Sequence, residues 1–163
     1  MPSSRAFLVA PIEAVLAGEP VIESRRVERT DLPGLAQLYV DAHRGLLPDA
    51  DVTIEAAGLE IIALLNGSMG EPLEAGWLAV FEGWGAPLSA VLCTAVDEMP
   101  VIVELLTAPA YRNRGFASSL VRDAARIFQA DGATEIGIMS EGAAQSAYLL
   151  EELGFTARVP AFA

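Results

Sequence analysis

One change of hydrophobic period constrains this chain more than any other feature. Residues 101–107, "VIVELLT", form a strongly apolar run with the length of a strand. From Gly115 onward the period becomes helical: Ala117, Leu120, Val121, Ala124 and Phe128 share one face, while Arg122, Asp123 and Arg126 point away. Between them lies "APAYRNRG", with Pro109 stopping further pairing and Gly115 freeing the backbone to turn. The next strand signal, "TEIGIM" (134–139), follows that helix, and two strands joined through a helix make a parallel crossover.

Other segments supply the rest of the sheet. "VIESRRV" (21–27) alternates as a strand does, and Thr30 or Asp31 can cap a helix striped by Leu32, Leu35, Leu38 and Tyr39. A second helix is expected from near Thr53 to Leu65, where "NGSMGEP" breaks it. Strand signals at 76–82, 86–96 and 101–107 are joined by links short enough for antiparallel hairpins. A last helix, about Ala143 to Leu153, stops at Gly154, and 155–162 reads as a final strand. The pattern predicts an α/β (α+β) chain with a mixed, mostly antiparallel central sheet flanked by helices. Residues 1–20 show no clean period and read as an N-terminal extension, a tail or an extra helix, ahead of a single domain over 21–163.

Composition narrows the function. The 163 residues include 22 acidic and 10 basic ones, a net charge of −12. That balance argues against a nucleic-acid partner, which needs a dense cationic face, and favours cationic small molecules or basic peptides. No apolar run approaches a membrane span, and Pro11 and Glu13 interrupt the N-terminal stretch where a signal peptide would be continuous. Cys93 is the only cysteine and His43 the only histidine, so neither a disulfide nor a His/Cys metal cluster is expected. A cytoplasmic setting is the expectation. All ten basic residues are arginines, and four of them (Arg112, Arg114, Arg122, Arg126) fall in the joint and the helix after it.

The joint has the makings of an anion seat. The first amides of a helix have no partners within it, and the helix dipole adds about half a positive charge at that end. Gly115 and Ala117 let a ligand approach the backbone, while Arg112 and Arg114 carry forked donors suited to phosphate. A Walker loop is excluded by the missing Gly-Lys-Ser/Thr, and a dinucleotide fingerprint by the absence of G-x-G-x-x-G. Exposed, solubilising arginines in a glycine-bearing loop are the plainer alternative.

"LLTAPAYRNRGFASSLV" resembles the acyl-coenzyme-A-binding motif of the GCN5-related N-acetyltransferase (GNAT) family: apolar strand, P-x-Y-R-x-x-G-x-G/A, helix. "EELGF" (151–155) is similar to that family's closing Y-x-x-x-G-F. The resemblance implies a GNAT-like acyl-CoA N-acyltransferase fold and acetyl-CoA as the acyl donor. It places the cofactor pyrophosphate on Arg112, Asn113, Arg114, Gly115, Phe116, Ala117 and Ser118, with pantetheine along Leu105, Leu106 and Thr107. An amide near Leu106 would polarise the thioester carbonyl, and the strand would splay from 134–139 to leave backbone groups free. The implied reaction is acetyl transfer to a primary amine of a small molecule or peptide, by direct attack in a ternary complex.

Three positions bear on proton transfer, and two of them, Leu150 and Ala143, depart from the family pattern. Glu104 interrupts an apolar strand, where a charge is costly unless it is paired, solvated or functional, so it is either the base or a paired surface group. The family tyrosine, which often protonates the departing thiolate, falls on Leu150, and the asparagine seven residues earlier on Ala143. Tyr148 is a candidate acid, yet two residues along a helix rotate a side chain by about 200°. Ser140, Ser146 or water are the alternatives. These losses motivate a second reading, a coenzyme-A-binding sensor or subunit that no longer catalyses. His43, Arg44, Asp49, Asp51 and Glu55 either select a cationic acceptor or form a solvated acidic loop, the plainer reading, and Trp77, Phe81 and Trp84 line a pocket or belong to the core. The tail after Gly154 is short for the family's last strand pair, which would allow strand completion by a partner subunit in a homodimer.

Overall fold

The computed structural model describes residues 6–44, 52–140 and 144–158. In chain order these contain β1 (Ala6–Pro11), α1 (Ile12–Val15), β2 (Arg25–Arg26), α2 (Leu32–His43), α3 (Ile54–Leu65), β3 (Glu71–Pro72) and β4 (Leu78–Val80). They continue with β5 (Ser89–Val96), β6 (Met99–Thr107), α4 (Phe116–Ala130), β7 (Glu135–Ser140), α5 (Ala144–Glu152) and β8 (Thr156–Ala157). The strands form one sheet in the order β2-β4-β5-β6-β7-β1-β8, with β3 on the edge of β5 that β4 leaves open. Among the described strands only β6 and β7 run parallel, as their connection through α4 requires.

The hairpin β5–β6 is the spine of the sheet. Asp97 and Glu98 both take positive φ (49° and 67°), so Val96 meets Met99 across a two-residue turn of the kind whose twist matches paired strands. Residues 90–93 of β5 and 101–103 of β6 are buried, which is why both segments are continuously apolar. Helix α4 lies across β4, β5 and β6, and its buried face is the expected one, from Leu120 and Val121 through Ala124 to Phe128. Helix α2 packs on β6 and on α3. Thr53 caps α3 by accepting the Ala56 amide, whereas Asp31 caps α2 with no side-chain bond. The Asp31 carboxylate instead accepts the Glu28 amide and pairs with Arg25, which holds its pKa below the ordinary carboxylate value.

The N-terminal segment departs from expectation. From Ala6 onward it is part of the sheet: β1 pairs antiparallel with β7 along its whole length, and β8 pairs with its other edge. Ile12 and Val15 are fully buried, and Ile12 donates its amide to the Thr134 carbonyl. The reason lies in the sheet. Val9 and Ala10 are consecutive, so their side chains point to opposite faces of the sheet, yet both are buried; a strand covered on both faces needs no polar alternation and shows no readable period. β2 is shorter than 21–27, reduced to an edge pair with β4.

If β1 and α1 are integral, Ile12→Ala should destabilise the protein by about 2–5 kcal/mol, the range for large-to-small core changes. Urea unfolding followed by circular dichroism measures this; an unchanged midpoint would mark the segment as an appendage.

Candidate functional site

The site begins where one ladder stops. β6 and β7 are paired at Val101–Gly137 and Ile102–Ile138, and beyond Ile102 the described residues carry no further β6–β7 pairing. At that same point the β5–β6 register slips: Leu92 lies opposite Glu104 and Cys93 opposite Ile102, which leaves Val103 as an extra residue. A bulge bends its strand and sharpens its twist, so β6 swings away from β7 over 103–107.

Backbone direction past the bulge follows from the bonds that remain. Ala108 donates its amide to the Leu88 carbonyl, and the Leu106 carbonyl accepts the Ser89 hydroxyl at 2.8 Å. In an antiparallel ladder alternate residues turn both backbone groups to the same side. Leu106 and Ala108 therefore face β5, while the amides and carbonyls of Leu105 and Thr107 face the opening. Leu106 itself is buried, and the Thr107 hydroxyl meets Ser89 at 2.9 Å. Ser89 thus braces the strand end from β5; its only trace in the sequence is a polar residue leading an apolar run.

Past Thr107 a single 3-10 turn, Pro109–Tyr111, leads into the loop. Asn113 and Gly115 take φ of 63° and 83°, a left-handed conformation that asparagine tolerates and glycine adopts freely. The first bond of α4 runs from the Ser119 amide to the Gly115 carbonyl, and the Ser118 hydroxyl donates to that carbonyl as well. Among the described residues, the amides of Asn113 through Ser118 have no partner. The joint therefore holds a row of uncommitted donors at the positive end of a 15-residue helix.

The two loop arginines part company. Arg114 is exposed, with its guanidinium 5.3 Å from the centre of the Tyr111 ring, and remains free to meet an anion. Arg112 turns the other way and donates to the Ala42 carbonyl at 2.9 Å, in the last turn of α2. Phe116 packs against Tyr111.

Of the expected acid–base groups, Glu104 is half-buried on β6 directly after the bulge. Tyr148 is 73% exposed on the outer side of α5, while Leu150 is buried. A hydrogen bond to Glu152 and that carboxylate's charge raise the Tyr148 pKa, so its proton is harder to give up. Helix rotation thus keeps Tyr148 from standing in for the missing tyrosine. Nothing is described of the side chains of Ser140 and Ser146, and Ala143 lies outside the described residues.

Around α2, His43 is buried against Tyr39, its Nδ1 2.8 Å from the Tyr39 carbonyl, and it serves the helix end rather than a pocket. Arg44 and Glu55 are exposed; Asp49 and Asp51 lie outside the described residues. Trp77 belongs to the core, its Nε1 donating to the Cys93 carbonyl; Phe81 lies under Arg25, and Trp84 is fully exposed. A cleft of about 600 Å³ opens beside α4, lined by Ile22, Ser24, Leu78, Asp123 and Arg126 among others, but none of its lining comes from β6 or residues 108–118.

A parallel pair splayed at a bulge, running into a row of free amides at a helix start, suits a long thin ligand ending in a diphosphate. The family model described as acetyltransferase (GNAT) family matches residues 32–155, well over half the chain. The chain belongs to the GNAT family. Its fold recurs in a GCN5-related N-acetyltransferase from Sphaerobacter thermophilus (TM-score 0.66, 15% identity, covering 94% of this chain and 48% of that one). It recurs too in a PaiA N-acetyltransferase from Thermoplasma acidophilum solved in complex with coenzyme A (TM-score 0.64, 15% identity, 83% and 90% covered). A conserved protein of unknown function from Staphylococcus epidermidis matches at TM-score 0.66 and 12% identity, covering 94% of this chain. The chain spans 57% of the Staphylococcus protein and 48% of the Sphaerobacter one, about half of each. At these identities the likeness is one of fold. A search of curated proteins finds no match. No helix among the described residues is long and apolar enough to cross a membrane.

Cys93 is fully buried, its thiol pointed at the Gly76 carbonyl, and burial pushes its pKa far up. Native protein should react with a thiol reagent such as Ellman's at least ~100-fold more slowly than denatured protein. Rapid stoichiometric labelling of the folded chain would contradict that burial.

Proposed function

We propose that this chain transfers an acetyl group from acetyl-coenzyme A to a primary amine of a small molecule or peptide, by direct attack within a ternary complex. The observation that carries the reading is the continuity of the β6–β7 opening with the uncommitted amides of residues 113–118. Pantetheine lies along β6, where Leu105 and Thr107 offer backbone groups to its amides, and one of those N–H groups stabilises the oxyanion. The diphosphate is held by the amides from Asn113 to Ser118 and by Arg114. Acetyl-coenzyme A is a substrate here, and an acidic surface at net charge −12 draws cationic acceptors.

The amine must arrive neutral. Glu104, next to the point where the strands part, takes its proton directly or through water. The nitrogen lone pair forms a bond to the thioester carbonyl carbon, the C–S bond breaks, the thiolate leaves with the sulfur's electron pair, and the nitrogen passes its surplus proton to water to leave a neutral amide. With Leu150 in the tyrosine position and Tyr148 turned outward, that thiolate takes its proton from water. Direct attack is favoured over an acyl-enzyme because the one cysteine is buried with its pKa raised.

Buried Leu150 also supports a second reading, a coenzyme-A-binding module without catalysis. Incubation with acetyl-coenzyme A and a panel of amines separates the two: thiol release above background supports the transferase, tight binding without release the module. Failure to bind acetyl-coenzyme A in calorimetry overturns both.

Gly115→Val forces a β-branched residue to positive φ and sets a Cβ 3.2 Å from Val21 Cγ2. It should raise the Kd for acetyl-coenzyme A about tenfold or more, with thermal unfolding as the control for folding. For Glu104→Gln, the expected loss of rate is about 100-fold at neutral pH. It should shrink as pH rises toward the acceptor's own pKa, where free amine needs no base; a loss that is flat with pH excludes the base role.

A further inference from the structure

The arginine that opens the R-x-x-G motif was expected on the diphosphate, and its guanidinium is elsewhere. Arg112 Nη2 donates to the Ala42 carbonyl at 2.9 Å, linking residues 70 positions apart in partly buried surroundings. The last carbonyls of a helix have no partner within it. Here Val40 and Asp41 are satisfied by the Arg44 amide, and the Tyr39 carbonyl by His43 Nδ1. Ala42 is the one answered from across the fold, by a cation at the negative end of the helix dipole, where a positive charge is favoured.

We propose that Arg112 is a positioning residue that ties the C-terminal turn of α2 to the diphosphate loop, so that a seated diphosphate also steadies the end of α2. The geometry supports this from both sides. The backbone of Arg112 is one residue before Asn113, where the uncommitted amides begin, and a ligand that orders 113–118 restrains the backbone from which the arginine springs. At the far end, α2 packs on β6, the strand assigned to the pantetheine arm. The guanidinium therefore connects the proposed diphosphate loop to a helix that packs on the strand proposed for the pantetheine arm. The inference rests on the proposed acyl-donor reading for its ligand, but the tie itself is present without ligand.

Hydrogen exchange of the full chain, with and without coenzyme A, tests the two parts separately. Without ligand, Arg112→Ala should speed exchange in the segment covering residues 39–44 by roughly three- to tenfold, the worth of one hydrogen bond, and Arg112→Lys should restore much of the protection. Adding coenzyme A to the wild type should slow exchange in 113–119 and in 39–44. In Arg112→Ala it should slow 113–119 alone. Unchanged exchange at 39–44 in the ligand-free variant, or equal ligand protection there with and without the arginine, overturns the proposal. No protection of 113–119 in the wild type overturns the acyl-donor reading, while the ligand-free comparison still decides whether Arg112 holds α2. Should Arg112→Ala fail to fold, Arg112→Met, which keeps the apolar stem and removes the donors, takes its place in the comparison with wild type at 39–44.

Discussion

The site depends on one surplus residue. With Val103 inserted opposite β5, β6 keeps its bonds to β5 but loses its line with β7, and the parallel ladder ends after two pairs. A sheet interior ordinarily leaves no backbone group unpaired, because a buried orphan costs as much as a lost hydrogen bond. The bulge breaks that rule locally and over a defined stretch. Residues Leu105 and Thr107 then carry amides aimed at space, while Leu106 and Ala108 stay anchored to β5. The opening is stiff for the same reason: its near wall is half of the best-paired hairpin in the molecule, and its far wall, β7, is held along its length by β1.

Charge placement reinforces that geometry. In a chain of net charge −12, four arginines gather in and just after the loop, and each takes a different task. Arg114 stays exposed beside Tyr111, and Arg112 reaches α2. Arg122 donates to the Val15 carbonyl and so fastens the N-terminal segment to α4, while Arg126 pairs with Asp123 and Glu19. The cluster is therefore partly a set of fastenings around a helix start, and the backbone supplies most of the donors that face outward.

Much of this was legible in the sequence because the motif is itself local physics. A strand run, a proline, a glycine at a left-handed position and an amphipathic stripe each act within a few residues, so the joint and α4 could be read directly. The opposite faces of Tyr148 and Leu150 followed from helix rotation alone. What escaped reading was non-local. β1 has no period because it is covered on both faces, and its partner is at the far end of the chain. The bulge at Val103 leaves no residue signature, since valine suits either side of it. The direction of Arg112 depended on where the end of α2 lands, which no spacing encodes.

The position of β1 has a consequence for how the molecule comes together. Ala6 sits opposite Ser140 and Leu8 opposite Ala157, so β1 is enclosed by two strands that follow it much later in the chain. Long-range pairing of this kind is slow to form. A nascent chain must carry an apolar, unsatisfied ribbon until β7 arrives, and the far wall of the ligand opening cannot become rigid before then. The β6–β7 opening is thus late to mature, because its far wall waits on pairing between strands far apart in the chain.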